Sequence, residues 1–299
     1  MKMKRPLINL LVSIFLLSTM PGCGSSPLEL IICGDDQVIV VDYETSDTSN
    51  LNILWRWDAS ETNDLPETFQ EYMRSTDDCK PVDDNKKILI SSSSGGVVLV
   101  DRETKQTLFY THAPNAHSAE WLPDNRIVVA LSTASGGNSI KLYDVDKPGV
   151  VLFKDSLYSG HGVVWMPETE QLYAMGYSEL REYSLKNWNT EKPELHLDNS
   201  WELPDPGGHD LISVSESRLI LSSHDGVWNF DIPKEEFSPF PPLESVQNVK
   251  SVNYDEITQR LIYTKGEINW WTHNIYCRNP DKIIAVPDLH VYKVRIISD

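Results

Sequence analysis

From residue 28 onward the chain alternates short apolar runs with clusters of Gly, Ser, Asn and Asp. Runs this short, joined by residues of that kind, predict β-hairpins rather than helices. Six segments share one plan: an apolar strand, a tight polar turn, and a second apolar strand that leaves through a turn-forming residue. The second strands read "QVIVVDYET" from Gln37, "GVVLVDRET" from Gly96, "SIKLYDVDK" from Ser139, "ELREYSLKN" from Glu179, "GVWNFDIPK" from Gly226 and "HNIYCRNPD" from His273. Asp42, Asp101, Asp144 and Asp231 stand at four exits, with Ser184 and Arg278 at the others. Asp and Ser start turns because their side chains bond backbone N–H groups a few residues on.

These exits recur at intervals of about 45 residues after a longer first gap, the length of a four-stranded propeller blade. The first unit lacks a leading strand, and "LHVYKVRIIS" at Leu289–Ser298 is a strand with no unit behind it. The two defects complement each other. The pattern therefore predicts an all-β, six-bladed β-propeller over residues 28–299, closed by the C-terminal strand joining the N-terminal blade. Closure would remove the free sheet edges that template aggregation. Seven blades remain the alternative if the non-repeating stretch over 58–79 hides strands. Its own pattern, Pro66 and Glu67 ahead of Phe69, Tyr72 and Met73, reads as one short helix.

The inner strands read "AHSAEWLPDN", "GHGVVWMPET", "GHDLISVSES", "NVKSVNYDEI" and "LHVYKVRIIS". Aligned, they place His117, His161, His209 and His290 in one register, with Lys250 beside them in another blade and Asp77 or Asp78 in the second; Asp78 is the acid assigned to the site. Inner strands of a propeller flank the axis, so these side chains are expected around one opening. One reading is a hydrogen-bonded ring of structural histidines, as in Gly-His-containing repeat propellers. The other is a ligand pocket, within which two chemistries compete. Neutral imidazoles of His117, His161, His209 and His290 suit one divalent transition metal. Imidazoles together with the Lys250 cation suit an anionic small molecule or saccharide. The chain therefore reads first as a binding or scaffold module and alternatively as a metal-dependent lyase or hydrolase acting on acidic saccharides. Trp55, Trp57, Trp270 and Trp271 are candidate sugar-stacking rings that would equally serve as core between blades. His112, His196, His224 and His273 fall off the register and read as surface or turn residues. No Gly-x-Ser-x-Gly elbow supports a serine hydrolase.

Charge narrows the partners. Over 299 residues, 26 basic groups face 44 acidic ones, a net charge of −18. Such a chain repels phosphate backbones, and nucleic acid is not expected as a partner. Lys2, Lys4 and Arg5 precede an apolar run from Leu7 to Leu17, the form of a signal peptide. The following "STMPGCGSS" resembles a bacterial lipobox. The resemblance implies a signal peptide over residues 1–22, lipidation of Cys23, a tether over 23–27, and attachment to a bacterial envelope membrane without a spanning helix. Cys33, Cys79 and Cys277 lack metal-ligand spacing; being three, they allow at most one internal disulfide, so at least one thiol stays free.

"HSAEWLPDNRIVVA", "HGVVWMPETEQLYAMG", "GGHDLISV", "GVWNFD" and "VKSVNYDEITQRLIYT" resemble successive blades of an uncharacterised bacterial β-propeller family, a domain of unknown function. That resemblance implies a propeller in a secreted or envelope setting and carries no activity with it. A fainter likeness, of fold alone, is to propeller polysaccharide lyases that hold a metal on axial histidines.

Overall fold

The computed structural model describes Met1 and residues 28–297. Those residues form six four-stranded antiparallel sheets. Five blades take their strands in chain order; the first is built from Val291–Ile297, Glu29–Gly34, Gln37–Asp42 and Ile53–Asp58, from the inside outward. The C-terminal strand is thus the innermost strand of blade one, as the sequence predicts. Its pairing with Glu29–Gly34 runs from Glu29↔Ile297 to Gly34↔Val291. The ring has six blades because the stretch after Asp58 holds no strand before Thr76: it folds as two 3-10 turns and a short helix at Glu67–Gln70. Phe69 and Met73 from this segment pack into the core shared by blades one and two.

Turn chemistry works as expected at the exits. Asp42, Asp101, Asp144 and Asp231 each accept a backbone N–H from two or three residues ahead, at 2.8–3.1 Å. The apolar alternation buries one row of side chains against each neighbouring blade. The result is six separate apolar seams, such as Leu30, Ile32, Ile262 and Val294 between blades six and one. Cys33, Cys79 and Cys277 are all free and buried.

Inner strands begin at Thr76, Ala116, Gly162, Asp210, Val249 and Val291. Their first residues lie at the same end of the wheel as the hairpins that join the second and third strands of each blade. That end carries the site.

Candidate functional site, an axial basin of imidazole and amine

Strand register identifies one ring of equivalent positions. Asp78, Ser118, Gly162, Asp210, Ser251 and Lys293 pair with Ser91, Ala130, Met175, Ser222, Thr264 and Cys33, at or next to the end of each second strand. The residue before each is Asp77, His117, His161, His209, Lys250 or Tyr292. Four of these, Asp77, His117, Lys250 and Tyr292, sit where the ladder register slips, the extra residue of a β-bulge. A bulge leaves its residue outside the ladder and re-aims the side chain. All six line one basin of about 390 Å³.

Neighbouring rings touch around this circle. The His117 and His161 centroids are 4.2 Å apart, and those of His161 and His209 5.7 Å. His117 and His161 bond the carbonyl oxygens of Asn115 and Ser159 through Nδ1, at 3.1 and 2.8 Å. A carbonyl only accepts, so in both rings Nδ1 carries the proton and Nε2 keeps its lone pair. His209 is the reverse. Its Nε2 lies 2.8 Å from Lys250 Nζ and accepts from it, and its Nδ1 is buried without a partner among the described residues.

Burial dominates the electrostatics here. Desolvation, then the nearby His117, holds the His161 imidazolium well below its ordinary range. Desolvation and the adjacent Lys250 push His209 down to about 2. Lys250 itself falls from 10.5 to about 7, through burial first and the buried Lys293 second. Desolvation raises the Asp77 carboxyl, with His117 acting against it, and raises the Tyr292 phenol, with Asp77 adding to the rise. Among the described residues no carboxylate comes within ion-pair distance of Lys250.

Below this ring lies a second one that closes the axis. Arg295 bonds Asp78 through Nε and Nη2 at 2.9 and 3.0 Å, and Asp210 through Nη1 and Nη2 at 2.8 and 2.6 Å. Lys293 Nζ stands 3.1 Å from Asp210 and 3.9 Å from Asp78. Burial pushes both carboxyls up, but Arg295 and then Lys293 more than offset it and leave them below the usual carboxylate range. Two carboxylates are thus neutralised by two cations, and Lys250 above them receives no counter-charge.

The structure therefore gathers His117, His161, His209 and Lys250, and places the other two sequence candidates elsewhere. Asp78 belongs to the axial ion network, and its neighbour Asp77 faces the basin. His290 lies two residues before the ring position, which Tyr292 fills. The His290 ring bonds Asp35 through Nδ1 at 2.8 Å and packs on Trp271 at 3.9 Å between centroids. It lines an adjoining hollow of about 120 Å³ that shares Ser75, Asp77, Trp270 and Tyr292 with the basin. The four histidines do not meet at one point, and among the described residues no three His, Cys, Asp or Glu side chains are arranged to hold a metal ion.

Sequence reasoning offered Trp270 as a stacking ring and His224 as a surface or turn residue, and missed the rest of the rim. Ser93, Thr133, Tyr177, His224 and Trp270 line the basin from the hairpins after the second strands. His224 packs on His209 at 5.0 Å. It reaches there because Gly207, at φ +82°, leaves the space: a Cβ on Gly207 would fall 2.4 Å from the His224 ring. Trp270 is 60% exposed at the mouth, whereas Trp57 is buried in the core. The usable signal was positional, a turn residue after the second strand in blades two to six.

Fold and ring together define a six-bladed β-propeller with an axial basin lined by imidazoles, Lys250 and Asp77. The chain belongs to a family of unknown function (DUF6528), whose model matches residues 33–299. No curated protein matches it.

Proposed function

We propose that this propeller is an envelope-anchored binding module whose axial basin takes a carboxylated ligand of the acidic-saccharide class. The observation that carries the reading is Lys250. It is an almost fully buried amine, lining a basin on a chain of net charge −18, without a carboxylate partner among the described residues. A ligand carboxylate supplies the missing counter-charge and accepts from Lys250. The imidazoles of His117 and His161, each with an Nε2 lone pair, suit hydroxyl donors. Trp270 at the mouth offers a ring face for a pyranose.

The test is a thermal-shift comparison of galacturonate with galactose. Bound ligand stabilises the fold in proportion to the logarithm of its concentration over Kd. The reading expects a rise in Tm with galacturonate that galactose does not give and that Lys250→Met abolishes. Equal shifts from both sugars, or none at millimolar galacturonate, contradict it. Anchoring rests on the signal-like residues 1–22 and on Cys23, which apart from Met1 lie outside the described residues. A Cys23→Ser protein is expected to leave the membrane fraction and lose labelled palmitate; retention of either contradicts the anchor.

A further inference from the structure

We infer that Lys250 is a nucleophilic amine which forms an imine with the carbonyl carbon of a small keto acid seated in the axial basin. This deepens the reading of the basin as an anion seat: the carboxylate docks on the rim hydroxyls of Ser93, Thr133 and Tyr177 and presents its neighbouring carbonyl to Nζ.

Three observations carry it. Lys250 is 4% exposed yet lines an open basin, so its amine is dry and still reachable. Its hydrogen-bond partner is the acceptor Nε2 of a histidine, 2.8 Å away, rather than a carboxylate that would hold it as an ammonium ion. The buried axial cations below it, Lys293 and Arg295, are paired with Asp78 and Asp210, and Lys293 disfavours a charge on Lys250. An amine desolvated beside another cationic group is the usual origin of a nucleophilic lysine. Its depressed proton affinity is the electrostatic consequence of the same geometry.

The step balances without a redox partner. The Nζ lone pair adds to the carbonyl carbon to give a carbinolamine, the C–O bond then breaks, and the two amine protons leave with the carbonyl oxygen as water. His209 Nε2, accepting one N–H of the amine, orients the Nζ lone pair toward the carbonyl carbon, and the protons pass within the carbinolamine to the departing oxygen.

The experiment treats the full chain at pH 7 with pyruvate and sodium cyanoborohydride, which reduces the imine to a stable secondary amine, followed by peptide mapping. The expected product is a mass gain at Lys250 equal to pyruvic acid less one oxygen. It should form at least about tenfold faster than at exposed Lys234, whose bond to Asp231 holds its amine above the ordinary lysine range. Lys250→Arg keeps a cationic donor and should lose the adduct while its circular dichroism stays native. Label confined to exposed lysines overturns the inference. Stabilisation by galacturonate without an adduct at Lys250 overturns the amine chemistry alone and leaves anion recognition standing. An adduct at Lys250 that galacturonate fails to slow supports the amine and removes the shared anion seat.

Discussion

Lys250→Met should make the protein more stable near neutral pH, an unusual result for removing a hydrogen-bonded side chain. Folded Lys250 gives up its proton near pH 7, whereas in the unfolded chain it does so near 10.5. Between these values the unfolded state binds more protons, so stability climbs as pH rises and the burial penalty is complete only below about pH 7. A shift of this size corresponds to roughly 5 kcal/mol at about 1.36 kcal/mol per unit. Against it stands the bond to His209, whose loss leaves both nitrogens of that ring without a protein partner and costs about 1–3 kcal/mol. The net expectation at pH 6.5 is a gain of roughly 2–4 kcal/mol for the variant. The assay is urea unfolding of both proteins from pH 6.5 to 9.5. The native protein should gain roughly 2 kcal/mol between pH 7 and 9 that the variant does not. Parallel pH profiles, or a variant less stable at pH 6.5, refute the claim that Lys250 is held as a dry, uncompensated amine.

Further expectations concern the frame around the basin. Arg295→Met removes the guanidinium from two buried carboxylates and should cost about 3–5 kcal/mol in urea unfolding, as breaking a buried ion network does; a cost below about 1 kcal/mol would contradict the network. Because Asp78 and Asp210 are held below their ordinary range, their stabilisation is present above the unfolded carboxylate range and is lost as pH falls below it toward their lowered folded values. Stability should therefore fall less steeply with acid when both are replaced by Asn, as followed by tryptophan fluorescence in urea titrations. Trp270→Ala should leave unfolding within about 0.5 kcal/mol of native, since the side chain is mostly exposed, while reducing the galacturonate shift. Deleting residues 291–299 removes the innermost strand of blade one together with Lys293 and Arg295, and should give an aggregating product on size-exclusion chromatography rather than a folded monomer.

The fold was legible because its signals are local. An Asp at a strand exit announces its turn from within a few residues, and the orphan strands at the two ends announce each other. Much of the ring was legible for the same reason, since His161 and His209 each follow Gly and precede an inner strand. The misplaced candidates fail where neighbouring residues compete for one position. In "LHVYKVRIIS" the ladder sets Lys293 opposite Cys33, so Tyr292 takes the ring position and His290 lies just ahead of the strand. In the second blade Asp78 pairs with Ser91, which gives the ring Asp77 and sends Asp78 to the axis. Lys293 and Arg295 alternate with apolar residues in the closing strand, a pattern common to strands with one solvated face. In the innermost strand of a propeller that face turns to the axis, where both find carboxylates from other blades. Most of the rim was hidden because Ser93, Thr133, Tyr177 and His224 join the basin only through blade geometry, from turns with no sequence likeness to one another.

The most direct test of the central claim, that the basin holds an amine awaiting an anion, is calorimetric titration with galacturonate at pH 7.5 in two buffers of different ionisation enthalpy. A carboxylate beside Lys250 restores its proton affinity, so binding should draw a fraction of a proton from the buffer, and the observed enthalpies should differ accordingly. Binding with identical enthalpies in both buffers, or proton uptake that persists in Lys250→Met, would contradict the account.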